Sequence, residues 1–185
     1  MSIVETIRIF VENESKKPTS KYGYEPYEFH FVPMVRYAEE LAEELGADKE
    51  IVALSGWLHD IGSLVDDRDN HHITGAEIAE EKLRELNYPE DRIERVKKCI
   101  LNHRGSIDNN RDSLEEKIIA EADIISNFDD ITGLFQAALV YEGLNRGEAK
   151  EAVRKKLENK YKQLNFDKSR EIIKPKYEAA MLLFS

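Results

Sequence analysis

The chain has one cysteine, Cys99, and that scarcity excludes an intrachain disulfide framework while fitting a reducing compartment. Long hydrophobic runs are missing as well. No apolar stretch nears the roughly 20 residues that a membrane helix needs, and residues 1–10 carry acid where a signal peptide carries base. The expected location is therefore cytoplasmic, with no membrane partner. Positive charge is in deficit, with a formal net charge of −10. Such a balance argues against a protein that coats a nucleic-acid backbone or an anionic bilayer, so no extended nucleic acid is expected. A small anionic substrate stays compatible if bound metal supplies the positive charge. The strand-type alternation of apolar and polar residues, internal repeats and low-complexity linkers are all lacking.

What is present is a helical pattern. The 185 residues, 41% hydrophobic and 35% charged, suffice for one core and leave no surplus for a second, so a single domain over 1–185 is expected. Over 27–45, Phe31, Met34, Val35, Ala38, Leu41, Ala42 and Leu45 recur at helical steps until Gly46 stops them. Asp48 caps the next segment, 49–61, which is apolar on most sides and should be the central buried helix, with Gly62 as its end. The polar stretch 63–72 reads as a surface loop. Thr74 and Glu77 have capping-box spacing for the following helix, Pro89 opens another that runs to Gly105, and Ser113 with Glu116 repeats the box before 114–128. Segments 134–144, 148–164 and 169–184 also read as helices, with Met181, Leu182, Leu183 and Phe184 expected to dock on the core.

All five histidines fall between His30 and His103, and four of them lie near a helix end or a loop. His30 lies on the line His30, Met34, Tyr37, Leu41, at the border of an apolar face, where its ring nitrogens need partners. His59 and Asp60 close the most hydrophobic helix, and Asp123 interrupts the apolar run 118–125. A carboxylate on such a background is costly unless a cation or donor compensates it. Taken singly, each has a plain structural explanation: a core histidine bonded to a carbonyl, or an aspartate paired with an arginine. Their joint arrangement on successive helices carries the functional case.

The ordered set His30, then His59-Asp60 before Ile61-Gly62, then Asp123 within Ala122-Asp123-Ile124, resembles the HD-domain superfamily of metal-dependent phosphohydrolases. The resemblance covers about 28–130 and implies an all-α bundle with a divalent metal held centrally by His30, His59, Asp60 and Asp123; residues 131–185 would pack on that core. Some members add two histidines that hold a second metal. Here His71 or His72 and then His103 are in place, and the family spacing of His, three residues, Gly-Ala favours His71, ahead of Gly75-Ala76. Asp60 would then bridge the two ions.

Two imidazoles and two carboxylates without thiolate suit Mn, Fe, Mg or Zn, one ion or two. Such a cation makes water a nucleophile at neutral pH and stabilises charge on a phosphoryl oxygen. The resemblance thus implies hydrolysis of a phosphoester or phosphoanhydride of a small phosphorylated substrate, a nucleotide being the commonest expectation, with Asp60 and Asp123 in the catalytic centre. Asp67 joins them as a further acid or base candidate. Arg104 is the candidate phosphate contact, with an exposed loop arginine as its bland alternative. Ser63 departs from single-metal nucleotidase members, which tend to be acidic there. Cys99 reads as a small core residue, and Lys117 and Asp130 as helix-flanking polar residues. Two other readings stay open: a di-iron oxygenase built on the same ligands, and a sensor module that keeps the metal as a structural pin.

Overall fold

Capping residues and apolar stripes divide the chain into helices. The computed structural model describes residues 1–65, 70–104 and 110–184, and its regular elements there are all helical. Ser2 opens α1 (Ile3–Ser15) by accepting from the Glu5 N–H at 3.2 Å. A π turn, Tyr27–Phe31, leads into α2 (Val32–Leu45), which ends on Gly46 in the left-handed region at φ +75°. Asp48 Oδ1 caps α3 (Lys49–Leu58) by accepting from the Ile51 N–H at 3.2 Å. Then come α4 (Ile61–Val65), α5 (His71–Glu85), α6 (Glu90–Asn102) and α7 (Leu114–Ser126), which carries the expected Ser113–Glu116 capping box. The C-terminal part is α8 (Ile131–Gln136), a second π turn (Ala137–Tyr141), α9 (Arg146–Gln163) and α10 (Asp167–Phe184).

α3 is the axis of the core. Residues Ile51 through Leu58 are all buried, and the helix packs against α1, α2, α6 and α7. Trp57 is 6% exposed and stacks on Tyr27 with ring centroids 5.7 Å apart. Burial on every side follows from a segment whose only polar side chains beyond the first turn are small, since no face is left that prefers water.

Three local expectations change. The 27–45 helix is divided, because Pro33 has no N–H to give to the carbonyl one turn back; the preceding turn widens, and the Val32 N–H bonds to Tyr27 O. The 49–61 helix ends at Leu58, and Gly62 is not its stop. Gly62 lies inside α4, where a Cβ would meet His71 O at 2.2 Å and Gly75 N at 2.8 Å, so its role is to let α4 and α5 touch backbone to backbone. That contact also explains why Ser63 to Val65 are helical and why α5 begins at His71, ahead of the expected Thr74 cap. The Thr74 N–H is already taken by Asn70 O at 3.1 Å. Of the rest of the expected 63–72 loop, Asn70 is a turn ahead of α5, and Asp66, Asp67, Arg68 and Asp69 lie outside the described residues, as does Gly105.

At the C-terminus only half of the expected docking occurs. Phe184 is 9% exposed, with its ring 6.0 Å from Phe135, and Met181 packs on the core, whereas Leu182 and Leu183 are 75% and 80% exposed. Four consecutive helical residues span all sides of the cylinder, and only the pair three apart shares the inward face.

The Gly62 contact yields a stability prediction. Gly62→Ala should cost about 3 kcal/mol or more, because backbone has to move. Gly46→Ala, where a Cβ meets nothing within 4 Å and only φ is strained, should cost about 1–2 kcal/mol. Denaturant unfolding of both variants checks the order; equal costs would remove the close-approach argument.

Candidate metal centre

α3 and α6 end by the same device. His59 is the C-cap of α3 and His103 the C-cap of α6. Each ring folds back to the carbonyl three residues earlier, His59 Nδ1 to Gly56 O at 2.8 Å and His103 Nδ1 to Ile100 O at 2.6 Å. A carbonyl is an acceptor only, so both Nδ1 atoms carry the proton and donate, and in the neutral rings both Nε2 atoms present lone pairs. His30 reaches the same state by another route. Ser126 Oγ donates to Asp123 O at 2.9 Å and therefore accepts from His30 Nδ1–H at 3.1 Å.

These nitrogens converge on Asp60. Its Oδ2 lies 3.7 Å from both His30 Nε2 and His59 Nε2, which are 3.1 Å from each other. Its Oδ1 lies 3.1 Å from His71 Nε2 and 3.4 Å from His103 Nε2, which are 3.3 Å apart. Asp123 Oδ1 adds a sixth side chain, 3.6 Å from His30 Nε2. Thus His30, His59, Asp60, His71, His103 and Asp123 are together in one cluster. His72 is not among them: its ring stands beside that of His71, with centroids 5.8 Å apart, and its Nδ1 lies 3.5 Å from Arg104 Nη1. Asp67 lies outside the described residues.

The cluster is buried at His59, His71 and His103, partly exposed at His30, Asp60 and Asp123, and strongly polarised. Burial works against ionisation of Asp60, but the imidazoles around it, His59 foremost, outweigh burial and hold the carboxyl well below its usual range. Asp123 is likewise held low against burial, chiefly by Lys160 and then by His30. Burial pushes His59 down to about 4, so this fully enclosed ring is neutral at pH 7. For His30, burial is opposed and overcome by Asp60 and Asp123, and its pKa is raised.

Two imidazole nitrogens 3.1 Å apart, both with lone pairs turned inward, need a shared electrophile between them, a proton or a metal cation. Asp60 Oδ1 is buried and lacks a hydrogen bond of normal geometry among the described residues. Ligands at about 2.0–2.2 Å from one cation sit about 3.0–3.5 Å from one another, the spacing of both histidine pairs here. Two triads, His30–His59–Asp60 and Asp60–His71–His103, have donor atoms within 4.8 Å of one another and could each hold an ion. No thiolate competes, since Cys99 is in the core and burial pushes its thiol up to about 12.

Several contributors escape sequence reasoning. Ser126 links His30 to the Asp123 backbone, and Ser63 Oγ donates to Asp60 O at 2.9 Å, holding the turn that aims the carboxylate. Lys160, from α9, pairs with Asp123 Oδ2 at 3.2 Å. Its signal in the sequence is a lysine inside the apolar stripe Ala149, Val153, Leu157, Leu164. A cavity of about 1070 Å³ opens over the cluster and is lined among others by Phe29, Arg104, Tyr141, Lys155, Lys156 and Lys160. Asp130 borders it but is occupied in capping α8, accepting from the Gly133 N–H at 2.8 Å. Lys117 is exposed.

An all-helical fold whose buried centre is built from four histidines and two aspartates defines a narrow class. The chain belongs to the HD domain family, whose pattern its residues 27–127 match. It is 39% identical over 79 residues to an uncharacterised protein of Clostridium beijerinckii, covering 40% of this chain and 50% of that one. It is 29% identical over 140 residues to a tRNA (cytidine(56)-2'-O)-methyltransferase of Picrophilus torridus (68% and 39% covered), and 36% identical over 99 residues to ribonuclease Y of Mycoplasma capricolum (52% and 18%). The chain thus spans half or less of the length of these relatives. In fold it is similar to Bacillus subtilis YpgQ in complex with ADP, at TM-score 0.71 and 20% identity (98% of this chain, 93% of that one). An HD-superfamily hydrolase of Bacillus thuringiensis superposes with TM-score 0.73 at 16% identity, covering 97% and 92%.

The buried neutral ring of His59 gives a pH prediction. A folded pKa near 4 against an unfolded value of about 6.5 means that the unfolded chain binds the proton first. The stability tied to this ring is therefore complete above about pH 6.5 and is lost as pH falls toward 4. Histidine nitrogen NMR of chelator-treated protein should show one ring, lost in His59→Gln, that keeps its Nδ1–H form to about pH 4. Titration of that ring near 6.5 would contradict the arrangement.

Proposed function

We propose that the chain is a metal-dependent phosphohydrolase acting on a small phosphorylated substrate, a nucleotide in the first instance, with a binuclear centre of His30, His59, Asp60, His71, His103 and Asp123. The observation that carries this reading is Asp60, whose two oxygens face two separate histidine pairs at the floor of the cavity. Divalent cations held there supply Lewis acidity, making water nucleophilic at neutral pH and stabilising charge on a phosphoryl oxygen.

The chain's own residues supply the rest. The Nδ1–H bonds of His59 to Gly56 O and of His103 to Ile100 O fix which nitrogen each ring presents. Asp60 and Asp123, both ionised, provide negative charge for the cations and acceptors for a proton lost by water. Arg104, Lys155 and Lys156 line the cavity and give an otherwise acidic protein a local cationic surface for phosphate. Phe29 and Tyr141, 53% and 48% exposed and both lining the cavity, offer flat apolar area to a base. The neighbour that holds ADP has this fold, which is consistent with a nucleotide here.

Phosphate release from an aryl phosphate or a nucleotide should require added Mn²⁺ or Mg²⁺ and vanish on chelation. Asp60→Asn should lower turnover by at least about a hundredfold. Arg104→Ala should raise KM more than it lowers kcat, as expected for a uniform binding contact. Metal counting separates the two triads: His103→Ala should lose one equivalent and keep the other, whereas Asp60→Asn should lose both. A metal-replete sample inactive on phosphomonoesters, phosphodiesters and nucleotides, yet consuming oxygen with an organic substrate, would replace this reading with the oxygenase.

A further inference from the structure

Lys160 stands where the pattern of α9 requires an apolar residue. Ala149, Val153 and Leu157 form the buried stripe of the helix, and Leu164, just past its end, continues it. Position 160 falls on that line between the last two. The lysine side chain is only 19% exposed, and its partner Asp123 only 16%. A pair so enclosed adds little net stability, because desolvating two charges offsets their attraction. Its placement calls for another reason.

Geometry supplies one. Asp123 shows its two oxygens to different partners, Oδ1 to His30 Nε2 at 3.6 Å and Oδ2 to Lys160 Nζ at 3.2 Å. Its backbone carbonyl is fixed as well, accepting from Ser126 Oγ at 2.9 Å and from Asn127 Nδ2 at 2.5 Å. We infer that Lys160 is a positioning residue for the metal centre: by engaging Asp123 Oδ2 it would leave a single oxygen, Oδ1, on the His30 side for a cation. The inference rests on the reading of the His/Asp cluster as a cation site.

Removing the ammonium has two effects of the same sign on cation affinity. A released carboxylate is free to turn both oxygens toward an ion that tolerates a flexible oxygen shell. Loss of a positive charge beside the site also removes repulsion of the incoming dication. Both would tighten binding, and the first would also take up a place that water or substrate would otherwise have. A lysine that only supported the fold would do the opposite, weakening affinity and stability together.

The test is Mn²⁺ binding to the full chain, measured by competition with a chelating dye and by the Mn²⁺ EPR spectrum. Lys160→Met should bind Mn²⁺ about tenfold tighter, with unchanged stoichiometry, an altered EPR signature and lower kcat on any phosphate ester the parent hydrolyses. Lys160→Arg should restore parental affinity and spectrum. Lys156→Met, a loss of charge on the same wall, should shift affinity by less than about twofold. Lys160→Gln carries the same expectation as Lys160→Met and replaces it if the methionine variant does not fold. Affinity that is weaker or unchanged in Lys160→Met and Lys160→Gln overturns the role of Lys160 alone. A parent protein that takes up no divalent cation overturns the metal-centre reading, and this inference with it.

Discussion

The structure turns on one carboxylate placed where an apolar environment would reject it. Asp60 follows α3, buried without a break from Ile51 to Leu58, and its Oδ1 has no hydrogen bond of normal geometry among the described residues. An ionised group in that position is tolerable only if positive charge reaches it from several directions. That requirement explains features far apart in sequence. The π turn at Pro33 aims His30 inward, α3 and α6 each stop on a histidine, and Gly62 lets the start of α5 press against α4 so that His71 comes within 3.1 Å. Each device is minor alone, and the four imidazoles gathered round Asp60 hold its carboxyl well below the usual range.

Much of this was legible in the sequence, and the reasons differ by feature. The helical class followed from periodicity, and the burial of α3 from a segment without a polar face. His30, His59, Asp60 and Asp123 stood out because polar residues at the edges of apolar faces need an explanation. The preference for His71 over His72 came from family spacing, and the structure puts His71 beside Asp60 and His72 beside Arg104. Two of the differences share one cause. Reading Ser63 to Val65 and His71 to His72 as loop and Gly62 as a stop treated composition as local, whereas a backbone contact between α4 and α5 decided both. Lys160 escaped for a related reason: charge is normally read as solvent-facing, and only its place in an otherwise apolar stripe marks it as an exception.

The division of labour within the chain follows the same logic. Residues 27–127, the part that matches the family, contain all six side chains of the cluster. The wall above them comes largely from beyond that segment, from the second π turn and α9 with Tyr141, Lys155, Lys156 and Lys160. A buried cluster tolerates little change, because each donor compensates another's desolvation. A cavity wall is free to vary in charge and shape without disturbing that balance. The methyltransferase of Picrophilus torridus and the ribonuclease Y of Mycoplasma capricolum each match this chain over part of a longer chain of different description, and a fold held in common does not by itself fix what a chain acts on.

Lys160 is where the two parts meet, and its charge matters more here than in a basic protein. With a net charge of −10, the chain repels phosphate at long range. At physiological salt that repulsion fades within about 8 Å, so an anion that has entered the cavity responds to local groups instead. Lys155, Lys156 and Arg104 face that space, and Lys160 stands between them and Asp123. A cation placed at this boundary acts on both sides: it holds one oxygen of Asp123 away from the centre while adding positive potential to the wall. A neutral residue in its place would leave Asp123 to His30 alone, and the less compensated carboxylate would then oppose the approach of an anion.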